Sequence, residues 1–283
     1  MIEWGISAAA HDASLTVVSG NEILFASHAE RYSGIKNDKD LNDDLIHAAL
    51  KFGKPEKIHW YEKPKLRAMR RFLSGQGLIR FSVRQYLEHF GLKDIPVEFA
   101  FHHESHAAAG FYTSPYDSAT ALVIDAIGEF DTASIWKCAG DKIQKKWSMD
   151  YPKSLGLFYS AMTDRVGLKP NEDEYILMGM VAYGDPEKYY KEVRNLWESE
   201  NLHRGCRWWA SDIDSLDIYG VAAATQKVYE EEFEKLLIKA KKLDKDQDNL
   251  VLMGGCALNC SANHIATKYL SGLCQIQVMP VAL

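Results

Sequence analysis

Three histidines fall within five residues in Phe101-His102-His103-Glu104-Ser105-His106-Ala107-Ala108-Ala109. The alanines predict a helix that begins here, just after the strand-like Val97–Phe101. On that helix His102 and His106 are four apart and share a face, so both imidazoles can meet one metal ion. His103 and Glu104 point to other faces. Histidines that merely hydrogen-bond at a helix start would give the same spacing. Asp125, in Asp125-Ala126-Ile127-Gly128-Glu129, closes the apolar stretch Ala121–Ile124. A carboxylate at the carboxyl end of a strand sits where open α/β sheets place ligands. With His102 and His106 it completes a mixed nitrogen and oxygen donor set, which suits iron, manganese or zinc rather than calcium. The plainer reading of Asp125 is a turn-capping residue.

Three further segments carry chemistry-bearing residues. His11-Asp12-Ala13-Ser14 joins two predicted strands; its small residues let backbone N–H groups approach a ligand, and Asp12 can orient water, metal or substrate. Gly254-Gly255-Cys256-Ala257-Leu258-Asn259-Cys260-Ser261-Ala262-Asn263 follows a short apolar strand. Its glycines allow close backbone approach to a flat or phosphorylated ligand, and Asn259 and Asn263 can bond ribose or base. Each segment alone equally fits a tight turn. Glu172 to Pro186 reads as a buried apolar stretch ending in a Tyr-Gly-Asp-Pro turn.

The elements that must hold these residues form a repeat. Ile6 to Ala26 and Ala121 to Ile143 both run as apolar strand, Asp-bearing loop, strand, Gly turn and strand. The turns are Gly20-Asn21 and Gly140-Asp141, flanked by β-branched and aromatic residues. Helical patterns follow each copy: Asn42 to Phe52 and Arg67 to Phe90, then Leu155 to Val166 and Tyr219 to Leu243. Leu250 to Met253 is a buried strand, with a helix from about Ser261. A meander followed by strand–helix units, twice over, predicts a duplicated α/β domain with a cleft between its halves, residues 1–115 and 116–283.

The 283 residues, 47% hydrophobic and 25% charged, exclude a disordered or collagen-like chain. A net charge of -6 argues against a nucleic-acid footprint. The local basic run from Lys63 to Arg71, with Arg80 and Arg84, reads as a solvated helix face. No stretch is long and apolar enough to span a membrane and no secretory leader is visible. The five scattered cysteines fit a reduced, cytoplasmic chain, and Cys256 and Cys260 lack the second pair of a zinc knuckle.

Taken together and in order, these segments resemble the N-terminal, Kae1-like domain of the antibiotic and nodulation-factor O-carbamoyltransferases. The match rests on His11-Asp12-Ala13-Ser14, Glu30-Arg31-Tyr32-Ser33-Gly34-Ile35-Lys36, His102-His103-Glu104-Ser105-His106-Ala107 and Asp125 to Glu129. It continues through Ser154 to Ser160, Met178-Gly179 with Ala182-Tyr183-Gly184, and Gly254 to Asn259. The resemblance implies an actin/Hsp70/sugar-kinase-like fold and a two-step reaction. A YrdC-like domain makes carbamoyl-adenylate from ATP and carbamoyl phosphate; the Kae1-like domain holds it on a divalent metal, iron, and passes the carbamoyl group to a substrate hydroxyl. By the same resemblance the metal ligands are His102, His106 and Asp125. The catalytic residues are Asp12, His11 and Lys36, and the nucleotide contacts are Gly128, Glu129, Gly254, Gly255 and Asn259.

Three departures stand out. Asp125-Ala126 replaces the family's Asp-Gly, Ile176 stands where many members carry Lys, and the chain stops at Pro280-Val281-Ala282-Leu283. The family continues from there into a fourth metal ligand and the YrdC-like domain, so the second half is expected to be incomplete. The expected partners are a hydroxyl-bearing small molecule and a separate YrdC-like subunit; a homodimer is allowed, and neither a membrane nor nucleic acid is expected. The competing readings are a threonylcarbamoyl-AMP-dependent tRNA-modifying transferase and a non-catalytic ligand-binding or assembly subunit. Acceptor choice is expected to involve Trp197 to Asp217.

Overall fold

A strand meander with one glycine turn, at Gly20, opens the chain in a computed structural model that describes residues 1–77, 80–199 and 217–275. Among the described residues the chain divides into two units, Met1–Thr113 with Gly128–Phe130, and Ser114–Ile127 with residues 131–275.

In the first unit β1 (Ile2–Ser7), β2 (Ser14–Ser19) and β3 (Glu22–His28) form an antiparallel meander. Two short helices follow, α1 (Glu30–Ser33) and α2 (Asp43–Leu50), then β4 (Lys57–Trp60), which pairs parallel to β1. Next come α3 (Pro64–Leu73), α4 (Val83–Glu88), β5 (Val97–Phe99), parallel to β4, and α5 (His102–Tyr112). The sheet order is β3-β2-β1-β4-β5. Helix α2 shows why such segments fold where they do. Asn42 accepts the Leu45 N–H at 2.9 Å, Asp43 and Asp44 occupy the first turn, and Leu45, Ile46 and Ala49 are buried. They pack with Trp4, Ile6, Leu15, Val17, Ile58 and Trp60 from the sheet.

The second unit repeats the plan. The strands β6 (Ser118–Ile124), β7 (Asp131–Ala139) and β8 (Lys142–Asp150) form the meander. Then come α6 (Leu155–Arg165), α7 (Glu174–Met180), α8 (Tyr190–Glu198), the long α9 (Ile218–Leu243), β9 (Asn249–Met253), α10 (Cys260–Asn263) and β10 (Gly272–Gln275). The order β8-β7-β6-β9-β10, with β9 parallel to β6 and β10 parallel to β9, is that of the first sheet. The duplication expected from the sequence is therefore present in the topology. Strand β6 is buried from Ala119 to Ile124, as a central strand covered on both faces must be. Edge strand β8 carries Lys142, Lys145 and Lys146, which protect its open side. This unit has its own core, in which Phe158, Met162, Trp197, Tyr229 and Phe233 pack on Leu122 and Leu252. Among the described residues no helix is long and apolar enough to cross a membrane.

Three local expectations need correction. Arg67 to Phe90 is two helices, because Gly75 and Gly77 take left-handed φ of +75° and +79° and Ser82 then caps α4. The segment from Glu172 to Pro186 is not buried: of α7 only Leu177 is, while Tyr175 and Tyr183 are 63% and 79% exposed. The helix expected from Ser261 is a single turn, α10, followed by a 3₁₀ turn, His264–Lys268.

Candidate functional site

Parallel strands collect their functional loops at their carboxyl ends. In the first unit β1 leads into the loop with His11 and Asp12, β4 into Tyr61 and Glu62, and β5 into α5. Helix α5 starts at His102 itself, and nine of its eleven residues are buried, His102, His103 and His106 among them. The Nε2 atoms of His102 and His106 lie 3.1 Å apart, with the rings edge to face at 4.8 Å. Tyr61 meets the His102 ring edge to face at 5.4 Å. His103 is on another face, its centroid 6.4 Å from that of His106.

What fixes this helix start is unusual. The N-cap residue is Phe101, which has no side-chain acceptor. Glu104 turns back to accept the Phe101 N–H at 3.3 Å, and Glu129 supplies the remaining cap. Its Oε1 accepts the Lys63 N–H at 2.7 Å and the His102 N–H at 3.2 Å, and Oε2 accepts the same His102 N–H at 3.2 Å. Glu129 is 4% exposed. It was expected among the nucleotide contacts; the structure places its carboxylate on backbone donors of the first unit instead.

The first loop is held under strain. Ala9 and Asp12 take φ of +65° and +50°, a region that costs a non-glycine residue about 1–3 kcal/mol. The loop is stitched to the segment after α1: Ala9 N–H donates to the Lys39 carbonyl at 2.7 Å, Ala13 N–H to Asp38 at 2.6 Å and Asp12 N–H to Asn37 at 3.4 Å. Lys36, exposed, immediately precedes that stitched segment. His11 Nδ1 and Asp12 Oδ2 are 2.8 Å apart, with His11 in solvent and Asp12 buried. An imidazole braced by a carboxylate is a ready proton acceptor.

Sequence reasoning missed Tyr61, Glu62 and Arg67. Arg67 Nη1 donates to buried Glu62 at 2.7 Å and Nη2 to the Ala9 carbonyl at 3.4 Å, so it ties α3 to the strained loop. Burial, then the charge of Glu62, holds the Tyr61 phenol well above its ordinary range. The only sequence signal was an acid and a base flanking Pro64.

In the second unit β6 delivers Asp125 and β9 delivers Gly254 to the carboxyl edge of their sheet. Gly254 has φ +89°, and a Cβ there would lie 2.3 Å from the Ile124 carbonyl oxygen. The close approach lets the Gly255 N–H donate to Asp125 Oδ1 at 3.3 Å. Gly156 plays the matching part behind Ala126: a Cβ would sit 2.6 Å from Ala126 N and Cα. Ser154 caps α6 through Leu157 N–H and donates to the Ala126 carbonyl at 2.6 Å, which pins the strand end.

Asn259 is spent on structure. Its amide forms a reciprocal pair with Gln226, both bonds 3.0 Å, and its oxygen also caps α10 through Ala262 N–H at 3.1 Å. Gln226, like its neighbour Thr225, is a polar residue in the buried stripe of α9, between Ala222–Ala224 and Val228. Burial, then the charge of Asp125, raises the Cys256 thiol, which removes it as a nucleophile. The Gly128 backbone goes with Glu129 in the first unit. Of the segment proposed for acceptor choice, residues 200–216 lie outside the described residues.

Residues 66–280 match a family model described as carbamoyltransferase N-terminus. An uncharacterized protein of Synechocystis is 29% identical over 318 residues, covering 92% of this chain and 51% of that protein. Nodulation protein NolNO of Sinorhizobium fredii is 26% identical over 208 residues, covering 65% of this chain and 30% of that protein. The chain spans about half the length of the curated relatives it matches over 92% of its own, at 51% and 52%. A ROK family protein from Streptococcus pneumoniae superposes with a TM-score of 0.52 at 10% identity, covering 98% of this chain and 93% of that one. The fold is thus the duplicated actin/Hsp70/sugar-kinase-like one.

Proposed function

The chain belongs to the carbamoyltransferase family, matching its N-terminal region, and from that premise we propose that it passes a carbamoyl group from carbamoyl-adenylate to a hydroxyl of a small-molecule acceptor. The observation that carries this reading is the buried His102–His106 pair, with Nε2 atoms 3.1 Å apart at a strand-end helix start. Two nitrogens at about 2.1 Å from one ion, at an angle of about 95–110°, stand about 3.1–3.4 Å apart, so the pair fits a shared cation. Asp125, the third ligand that the resemblance implies, would complete a two-histidine, one-carboxylate set of the kind that favours iron. A bound divalent ion would supply Lewis-acid polarisation of the carbamoyl carbonyl and neutralise charge on the departing phosphate.

The remaining work falls to the chain. His11, oriented by Asp12, takes the proton from the acceptor hydroxyl as its oxygen bonds the carbamoyl carbon; the bond from that carbon to the phosphate oxygen breaks, and AMP leaves with the electron pair. Lys36, just before the segment stitched to that loop, offers positive charge to the leaving phosphate. Gly254 and Gly255 let backbone approach the nucleotide. Adenylate formation is assigned to a YrdC-like domain or subunit.

The test mixes the chain, a YrdC-like partner, Fe(II), ATP, carbamoyl phosphate and a panel of amino-sugar and oligosaccharide acceptors. Acceptor-dependent release of AMP with a carbamoyl ester as product, lost in His106→Ala, is expected. An ester formed equally well by His106→Ala removes the proposed metal chemistry.

A further inference from the structure

The Glu129 carboxylate accepts the N–H groups of Lys63 and His102. Resting on the metal reading above, we propose that Glu129 is the positioning residue of the His102–His106 pair. A helix N-terminus leaves its first N–H groups without intrahelical partners, and a Ser, Thr, Asp or Asn at the N-cap ordinarily accepts one of them. Phe101 cannot. The acceptor comes instead from a residue 27 positions away, and the N–H that it takes is that of His102, one of the two facing imidazoles. Both carboxylate oxygens reach that single donor at 3.2 Å, so the approach of Glu129 fixes where the first turn of α5 begins. The His102 ring hangs from that residue, and a shift of its backbone is carried directly to Nε2.

The same carboxylate holds the Lys63 N–H at 2.7 Å, the residue before α3 begins at Pro64. Glu129 therefore clamps the starts of α3, which carries Arg67, and α5, which carries the histidines. Backbone donors and the positive end of an eleven-residue helix suit a buried anion.

The experiment uses Glu129→Gln, which keeps size but loses charge and one acceptor, and Glu129→Asp, which keeps the charge on a shorter stem. Co(II) is the metal probe, followed by its visible spectrum and by calorimetry, and AMP is the nucleotide probe. Ring resonances of His102 and His106 are recorded in the metal-free proteins by NMR. Glu129→Gln is expected to weaken Co(II) binding roughly 10–100-fold, to change the Co(II) spectrum and to move both sets of ring resonances, with Glu129→Asp partly restoring each. AMP affinity stays within about twofold, as expected of a residue that does not touch the nucleotide. Unchanged ring resonances in Glu129→Gln overturn the proposal, as does loss of AMP binding with Co(II) binding intact. If the unaltered chain binds no Co(II), the metal reading fails, and the metal-free ring resonances still decide the role of Glu129.

Discussion

Replacing Gly254 by alanine separates two costs that usually come together. Gly254 sits at φ +89° and ψ 167°, a conformation almost confined to glycine, so alanine pays about 1–3 kcal/mol in backbone strain. Its new Cβ would also lie 2.3 Å from the Ile124 oxygen and 2.8 Å from the Ile124 carbonyl carbon. Those are backbone atoms of the central strand, which cannot rotate away, and such overpacking costs a further ~1–3 kcal/mol. Gly140 is the control in the same unit: its φ is +56°, but nothing lies within 4 Å of a Cβ there. Gly140→Ala should therefore cost about 1–2 kcal/mol, and Gly254→Ala about 2–6 kcal/mol. The measurement is urea unfolding of both variants, followed by one fluorescence probe and compared at equal slope. Gly254→Ala must also push the loop back, which breaks the already long 3.3 Å bond from Gly255 to Asp125. Equal destabilisation by the two substitutions would show that the close approach to Ile124 is not a real constraint.

Asn259→Ala removes the reciprocal amide pair and the α10 cap, while Gln226 keeps Tyr159 and Glu230 as partners; it should cost about 1–3 kcal/mol, and a double-mutant cycle with Gln226→Ala should return a coupling of at least ~1 kcal/mol. Coupling below about 0.5 kcal/mol would mean that the reciprocal amide pair does not form in solution. Burial raises the Tyr61 and Tyr229 phenols above their ordinary 10.0. Above pH ~10 the unfolded chain sheds those protons first and binds fewer than the folded one, so stability is steady below that pH and falls as pH rises through it. Urea midpoints measured across this range should fall less steeply in Tyr61→Phe; an unchanged slope contradicts the burial assigned to Tyr61.

The repeat was legible because strand alternation and two glycine turns are local signals, and each copy carries them intact. The start of α5 was legible from three alanines. What escaped was every partner distant in sequence. Arg67 reaches the Ala9 carbonyl across 58 residues only when α3 folds back beside the first loop. Gln226 meets Asn259 across 33 residues, and Glu129 meets His102 across 27. The resemblance puts Asn259 and Glu129 among the nucleotide contacts, and in sequence an amide or a carboxylate in a glycine-bearing loop looks the same whether it awaits a ligand or caps a helix. The backbone donors that these two accept are invisible until the helices are placed.

The histidine pair offers a sharper distinction between structure and chemistry. Helix α5 is buried almost all round, and a core at that depth is served well by leucine, which has higher helix propensity than histidine and no polar atoms to satisfy. Two imidazoles facing each other at 3.1 Å inside such a helix are a poor choice for stability alone. Replacing both partners of a buried polar contact by apolar groups of similar size is often neutral or stabilising, whereas removing one of them is costly. The double variant His102→Leu/His106→Leu should accordingly unfold within about 1 kcal/mol of the unaltered chain, or later, while losing Co(II) and Fe(II) binding altogether. His106→Leu alone should be the less stable of the two proteins. The urea midpoints of the three proteins, read beside calorimetric metal titrations, test this directly. A double variant that loses about 3 kcal/mol or more would mark the pair as a structural hydrogen bond, and the site would then have to be sought among other residues.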